Sequence, residues 1–189
     1  MKTRESGMPD EQMWDQFFKA DSILRKLGIR NIPGRIVDMG CGYGTFTIPA
    51  AQANPGEVYA IDIEEEMVAT TRRKARQAGL GNVRVVRRDF MTRGSGLPDD
   101  RCDYVMLFNI LHAENPLKIL AEARRILKPG GRAGVIHWIY DERTPRGPSM
   151  DIRPKPEQCL VWLAEAGFRV EGKVAQLPPY HYGLVGMKG

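Results

Sequence analysis

At 189 residues, 42% hydrophobic and 27% charged, the chain has room for one sizeable core and little for a second, so one domain is expected. No apolar run approaches the roughly eighteen residues that a membrane span needs, and the charged start Lys2-Thr3-Arg4-Glu5 has no apolar stretch behind it, so no secretory signal is expected. Cys41, Cys102 and Cys159 are widely spaced and form no C-x-x-C pair, which argues against disulfides and a cysteine metal site and makes the cytoplasm the expected compartment.

The net charge of +5 invites a nucleic-acid hypothesis. Much of the basic excess has a simpler reading. Glu64, Glu65 and Glu66 open a helical stretch that Arg72, Arg73, Lys74 and Arg76 close. Acids then sit at the positive end of the helix dipole and bases at the negative end. A nucleic-acid partner is possible on charge but not favoured.

In chain order, a helix is expected over 10–27, with Asp10 as its N-cap and Met13, Phe17, Ala20 and Leu24 at helical spacing. Gly28 ends it and Pro33-Gly34 turns the chain. A strand is expected at 35–39, a helix at 45–53, a strand at 57–61 ending on Asp62, and a helix at 64–78 stopped by Gly79 and Gly81. Strands follow at 83–87 and 103–108, a helix at 116–127 and a strand at 132–138. A proline-rich segment, 139–156, leads to a helix at 156–166. Strands at 168–175 and 181–187, joined through Pro178-Pro179, end the chain. Alternating strands and helices imply a parallel sheet covered on both faces. The last two strands are too close in sequence for a crossover and must be antiparallel. The organisation expected is a helical cap (1–34), a central α/β unit (35–138), the proline-rich loop, and a C-terminal helix with β-hairpin (157–189).

The most informative segment is Asp38-Met39-Gly40-Cys41-Gly42-Tyr43-Gly44-Thr45, where the first strand meets its crossover helix. In doubly wound sheets that turn lies on the ligand-binding edge, and glycines let backbone approach a ligand and adopt positive φ. A dinucleotide fingerprint requires Gly or Ala at position 45, where this chain has Thr45. Asp38 would repel a nearby pyrophosphate but suits an ammonium group. The spacing favours an amino-acid nucleoside over NAD.

Asp38 to Gly44 resembles the first motif of the class I S-adenosylmethionine-dependent methyltransferases, most closely the broad group that includes the ubiquinone and menaquinone biosynthesis enzymes. Further positions match that family in order. Asp62 resembles the acid that binds both ribose hydroxyls. Asp89-Phe90 resembles the pair at the adenine. Leu97-Pro98-Asp99 through Asn109-Ile110-Leu111-His112 resembles the fourth motif, and Leu127 to Arg132 the turn before the fifth strand. The resemblance implies a Rossmann-like, doubly wound α/β fold with a seven-stranded, mostly parallel sheet whose last strand is antiparallel. It implies S-adenosylmethionine as cofactor, held by Asp38, Gly40, Cys41, Gly42, Gly44, Asp62, Ile63, Met67, Asp89, Phe90 and Asn109. It also implies methyl transfer to an acceptor, expected to be a small molecule. An RNA- or protein-directed enzyme and a non-catalytic cofactor-binding protein remain as alternatives.

In-line alignment is the main demand of such a transfer, so a catalytic residue is not obligatory. If a general base is used, the candidates are His112, His137, Tyr140 and His181, all expected at the carboxyl edge of the sheet. The three histidines share no metal-ligand spacing, and no metal is expected. Trp138 and Tyr140 are candidates to face a sulfonium or an aromatic acceptor. Arg143, Arg146 and Arg153 of the proline-rich loop are candidates to hold an anionic substrate. Met8, Met13, Trp14 and Phe17 are expected to close the pocket or cover the core. Pro178-Pro179-Tyr180 is in the wrong place for the loop of amino-directed DNA methyltransferases, which follows the fourth strand.

Overall fold

The computed structural model describes residues 10–189. Seven strands form one sheet: β1 (Ile36–Met39), β2 (Val58–Asp62), β3 (Val83–Arg87), β4 (Cys102–Phe108), β5 (Leu127–Trp138), β6 (Phe168–Leu177) and β7 (His181–Lys188). Their spatial order is β3-β2-β1-β4-β5-β7-β6. Neighbours from β3 through β5 are parallel, whereas β7 runs antiparallel to both β5 and β6. The helices are α1 (Glu11–Gln16), α2 (Ala20–Lys26), α3 (Thr47–Ala53), α4 (Glu65–Gln77), α5 (Phe90–Arg93), α6 (Pro116–Ile126) and α7 (Pro156–Glu165). No helix among the described residues is long and apolar enough to cross a membrane.

Strands β1 and β2 are buried along their whole length, as a sheet covered on both faces requires. On one face α6 and α7 place Ile119, Leu120, Ala123, Cys159 and Leu163 against Val105, Leu107 and Val135. On the other, α2 and α3 pack Leu24, Leu27 and Ala50 against Ile36, Met106 and Ile136. The chain leaves β1 toward β2 on one side, while β4 lies on the other. That reversal opens a crevice beyond the carboxyl ends of β1 and β4.

The expected first helix is two helices. The break falls at Phe17-Phe18, both buried. Adjacent residues on one continuous helix point about 100° apart. With the helix interrupted, Phe17 packs on Trp138 and Phe18 on Phe46. Strand β5 begins earlier than expected, because Leu127 pairs with Cys102 and both are sealed from solvent. The segment Lys128–Gly131 then lies where the register shifts. The four-residue α5 is too short to show periodicity; its Asp89 cap accepts from the backbone N–H groups of Met91 and Thr92.

Candidate active site

The crevice is a cleft walled by the loop after β1, the ends of β2 and β4, α5 and one residue of α1. The glycine loop owes its shape to two neighbours. The backbone N–H groups of Gly40 and Cys41 both donate to the Ile61 carbonyl, at 2.8 and 3.0 Å. The Thr71 hydroxyl of α4 donates to the Gly42 carbonyl at 2.8 Å. Gly40 and Gly42 have φ of +81° and +52°, conformations that side chains disfavour. Both line the cleft with Cys41.

Gly44, expected at the cofactor, is not among the residues that line the cleft; a Cβ there would meet Thr71 at 3.0 Å. Its small size serves loop–helix packing.

Two carboxylates anchor the cleft. Asp38, at the end of β1, accepts from the Thr47 hydroxyl at 2.6 Å. Burial pushes its carboxyl up to about 7; the Thr47 bond opposes this and the charge of Asp62 adds to it. Asp62, at the end of β2, accepts the Gly42 N–H through Oδ2 at 2.9 Å and the Glu64 N–H through Oδ1 at 3.0 Å. Burial raises its carboxyl too, against those bonds. A carboxylate offers about four acceptor sites, so Asp62 retains capacity for two further donors. Ile63, Glu64, Met67, Phe90 and Met91 continue the wall.

Asp89 is beside the cleft rather than on its lining. It caps α5; burial pushes its carboxyl up, but the bonds from Thr92 and Met91 outweigh that and hold it below the usual range. Asn109, just past β4, lines the cleft at a φ of +56°. Its side-chain oxygen and nitrogen are enclosed and have no partner among the described residues.

Of the four residues expected as proton acceptors, the structure brings only His112 to the lining. His137 lies behind it in β5, edge to face with ring centroids 5.4 Å apart. It is wholly buried, and burial drives its imidazole well below the ordinary value. His181 is packed between Phe18 and Trp138, at 4.4 and 4.3 Å, and burial pulls it down to about 3. Tyr140 is 45% exposed and lies under Lys155 Nζ at 4.6 Å. Alternation along β5 sends His137 and Trp138 to opposite faces of the sheet, and both are absorbed by the core.

The tryptophan at the cleft is Trp14 of α1, while Phe17 covers the core. Met13 packs at the edge of that core, and Met8 lies outside the described residues. The arginines of the proline-rich loop do not line the cleft either. Arg153 is buried and donates to the carbonyls of Ile139, Asp141, Arg146 and Pro148 and to the Thr144 hydroxyl. Arg143 pairs with Asp141. Sequence reasoning missed Thr47, Phe46, Met91 and Phe108. Thr47 carried a usable signal, since it is a hydroxyl at the first position of the helix after the glycine loop, which that loop returns to the end of β1.

A doubly wound sheet with an antiparallel seventh strand, a glycine loop after β1 and an acid ending β2 define the architecture of nucleoside-binding transferases. Residues 36–131 match the family model described as a methyltransferase domain, and the chain belongs to that family. A demethylmenaquinone methyltransferase of Geobacillus kaustophilus is 31% identical over 114 residues, covering 59% of this chain and 47% of that protein. Aklanonic acid methyltransferase DauC of a Streptomyces species is 32% identical over 144 residues, covering 70% and 63%. A solved SAM dependent methyltransferase from Aquifex aeolicus superposes with a TM-score of 0.83 at 29% identity, over 95% of this chain and 94% of that one. The chain spans about half the length of the first curated relatives it matches.

Proposed function

We propose that this chain is an S-adenosylmethionine-dependent methyltransferase acting on a small-molecule acceptor, with residues 10–189 working as one unit. The observation that carries the reading is the buried Asp62, whose two oxygens each hold one backbone N–H at the cleft and keep capacity for one further donor each. Two adjacent ribose hydroxyls meet that requirement. The rest of the cleft fits as well. Asp38 suits an ammonium, directly or through water. Gly40, Cys41 and Gly42 allow close approach of backbone, and Ile63, Met67, Phe90 and Met91 offer an apolar bed for a base. The purine bed in this reading is Phe90 and Met91; Asp89 is committed to the α5 cap.

When bound, the cofactor supplies a methyl group already activated on a sulfonium. The protein must hold the acceptor in line and keep water out, which for well-oriented reactants is worth on the order of 7–11 kcal/mol. Trp14, Phe46 and Phe108 provide the apolar screen. Where the acceptor must lose a proton, His112 is the group to receive it, a contribution of about 10²–10⁴-fold. The three cysteines, all free and buried, are consistent with a reducing compartment, and the cytoplasm is the location we propose.

The test is calorimetric titration of the folded protein with S-adenosylhomocysteine. Saturable heat is expected, and its absence from a folded sample would end this reading.

A further inference from the structure

The cleft is complete only while α1 is in place, because Trp14 of that helix forms part of its wall. We propose that α1 is an electrostatic gate, hinged at Phe17-Phe18 and latched to α4 and the glycine loop, that sets how fast the nucleoside enters and leaves. This gate rests on the methyltransferase reading and adds to it a control over cofactor exchange.

A helix this short does not persist alone in water, and none of the six residues Glu11–Gln16 is buried. What α1 touches must therefore hold it. From Asp10 to Gln16 the chain carries three acids and no base, and these acids meet the basic end of α4. Glu11 lies 2.7 Å from Lys74 Nζ and 3.9 Å from the Arg73 guanidinium. Asp15 lies 3.8 Å from Lys74 Nζ and accepts from the Thr45 hydroxyl at 2.8 Å. Thr45 itself lines the cleft. The latch thus joins an outer helix to the loop that carries Gly40 and Gly42.

Apolar anchorage is concentrated at the helix break. Phe17 packs on Trp138, Phe18 on Phe46, and Trp14 on Phe18 at 4.9 Å. Lys19, which caps α2, makes no side-chain cap bond. A second hollow of about 550 Å³ opens between Asp15, Phe18, Ile48 and Lys74. Helix α1 therefore stands between two open spaces rather than on a packed bed. Elements with few buried apolar contacts open at the lowest cost in free energy.

The latch and the ligand site differ in their exposure to salt. The Glu11 and Lys74 side chains are 34% and 21% exposed, whereas Asp38 and Asp62 are buried. The screening length falls from about 10 Å at 0.1 M salt to about 3 Å at 1 M, and buried charges feel this much less. Salt should open the gate while leaving the carboxylates beneath it largely unscreened.

The experiment follows release of S-adenosylhomocysteine from the full chain by stopped-flow tryptophan fluorescence, with affinity measured calorimetrically. Release is expected to be at least fivefold faster in 1 M than in 0.05 M sodium chloride. Affinity should change less than threefold, because entry quickens as well. In 0.05 M salt, Lys74→Glu is expected to speed release at least fivefold, and adding Glu11→Lys should bring the rate back to within threefold of wild type. A lysine that merely supported the fold would not be rescued by exchanging the two charges. Release by wild type that ignores salt overturns the gate, and that arm needs no variant. A loss of affinity as large as the gain in release rate also overturns it, as does Lys74→Glu with an unchanged rate or one that Glu11→Lys fails to correct. These outcomes leave the methyltransferase reading standing, since each is measured on protein that binds S-adenosylhomocysteine. Failure of the wild-type chain to bind it overturns that reading and the gate together.

Discussion

The Thr47 hydroxyl donates to Asp38 Oδ2 at 2.6 Å in a place where both side chains are sealed from solvent. This bond opposes, without cancelling, the burial that lifts the Asp38 carboxyl to about 7. A ligand ammonium prefers the carboxylate form. Affinity for S-adenosylhomocysteine should therefore rise about tenfold between pH 6 and pH 8, following the ionised fraction of such a group. Thr47→Val should move that rise to higher pH. Calorimetry across the range decides it, and a flat profile would remove Asp38 from ammonium binding.

The same acid makes a stability prediction of definite sign. Its folded value lies above the unfolded 3.8, so between pH 4 and pH 7 the native state binds more protons than the unfolded chain. Stability contributed at this position is thus lost as pH rises through that window. A shift of this size bounds the effect at roughly 4 kcal/mol. Asp38→Asn, compared with wild type by urea unfolding, should be relatively more stable at pH 8 than at pH 4.

Asp62→Ala should weaken cofactor binding at least tenfold, through lost charge-assisted bonds of about 1.5–3 kcal/mol. It also deprives the Gly42 N–H of its partner. An unchanged dissociation constant would exclude Asp62 from the ribose.

Gly44→Ala separates packing from binding. The substitution meets Thr71 at a φ of +77°, and strain of this kind costs about 1–3 kcal/mol. Thermal unfolding should shift accordingly, while affinity for S-adenosylhomocysteine should fall less than in Gly42→Ala. A larger loss of affinity than of stability would return Gly44 to the ligand.

His181 has no partner for either ring nitrogen among the described residues and is depressed to about 3. Its folded value lies below the unfolded one, so the stability it leaves intact above pH 6.5 is lost as pH falls toward 3. His181→Phe removes an unsatisfied group whose burial costs about 1–3 kcal/mol. The variant should resist acid unfolding better than wild type. Equal sensitivity would mean that this imidazole is satisfied in solution.

The sheet was legible in the sequence because its cues were local and redundant. Apolar runs such as Ile36–Met39, glycine punctuation and the acid ending β2 all pointed one way. That Asp38, Gly40, Gly42 and Asp62 come together on one wall of the cleft was legible for the same reason, since they sit at fixed positions relative to strand ends. The wall beyond β4 and β5 was not. Whether a histidine past β4 or β5 reaches the cleft depends on which face of the sheet it leaves, and His137 and His181 are claimed by aromatic packing that no local pattern encodes. Likewise, nothing in the spacing of Arg143, Arg146 and Arg153 tells that the last gathers loop carbonyls. The helix break at Phe17-Phe18 is set by tertiary burial, which overrides a helical periodicity that runs straight through it.

The pairing of β1 with β4 has a practical corollary. It is the middle seam of the sheet, and the chain crosses between its two sides through residues 94–101, outside any helix or strand. Cutting the polypeptide there would give one fragment with both carboxylates and another with His112. Neither piece alone would enclose the nucleoside. Co-expressed halves should regain ligand binding only when these two strands zip together, making cofactor uptake a direct reporter of fragment complementation.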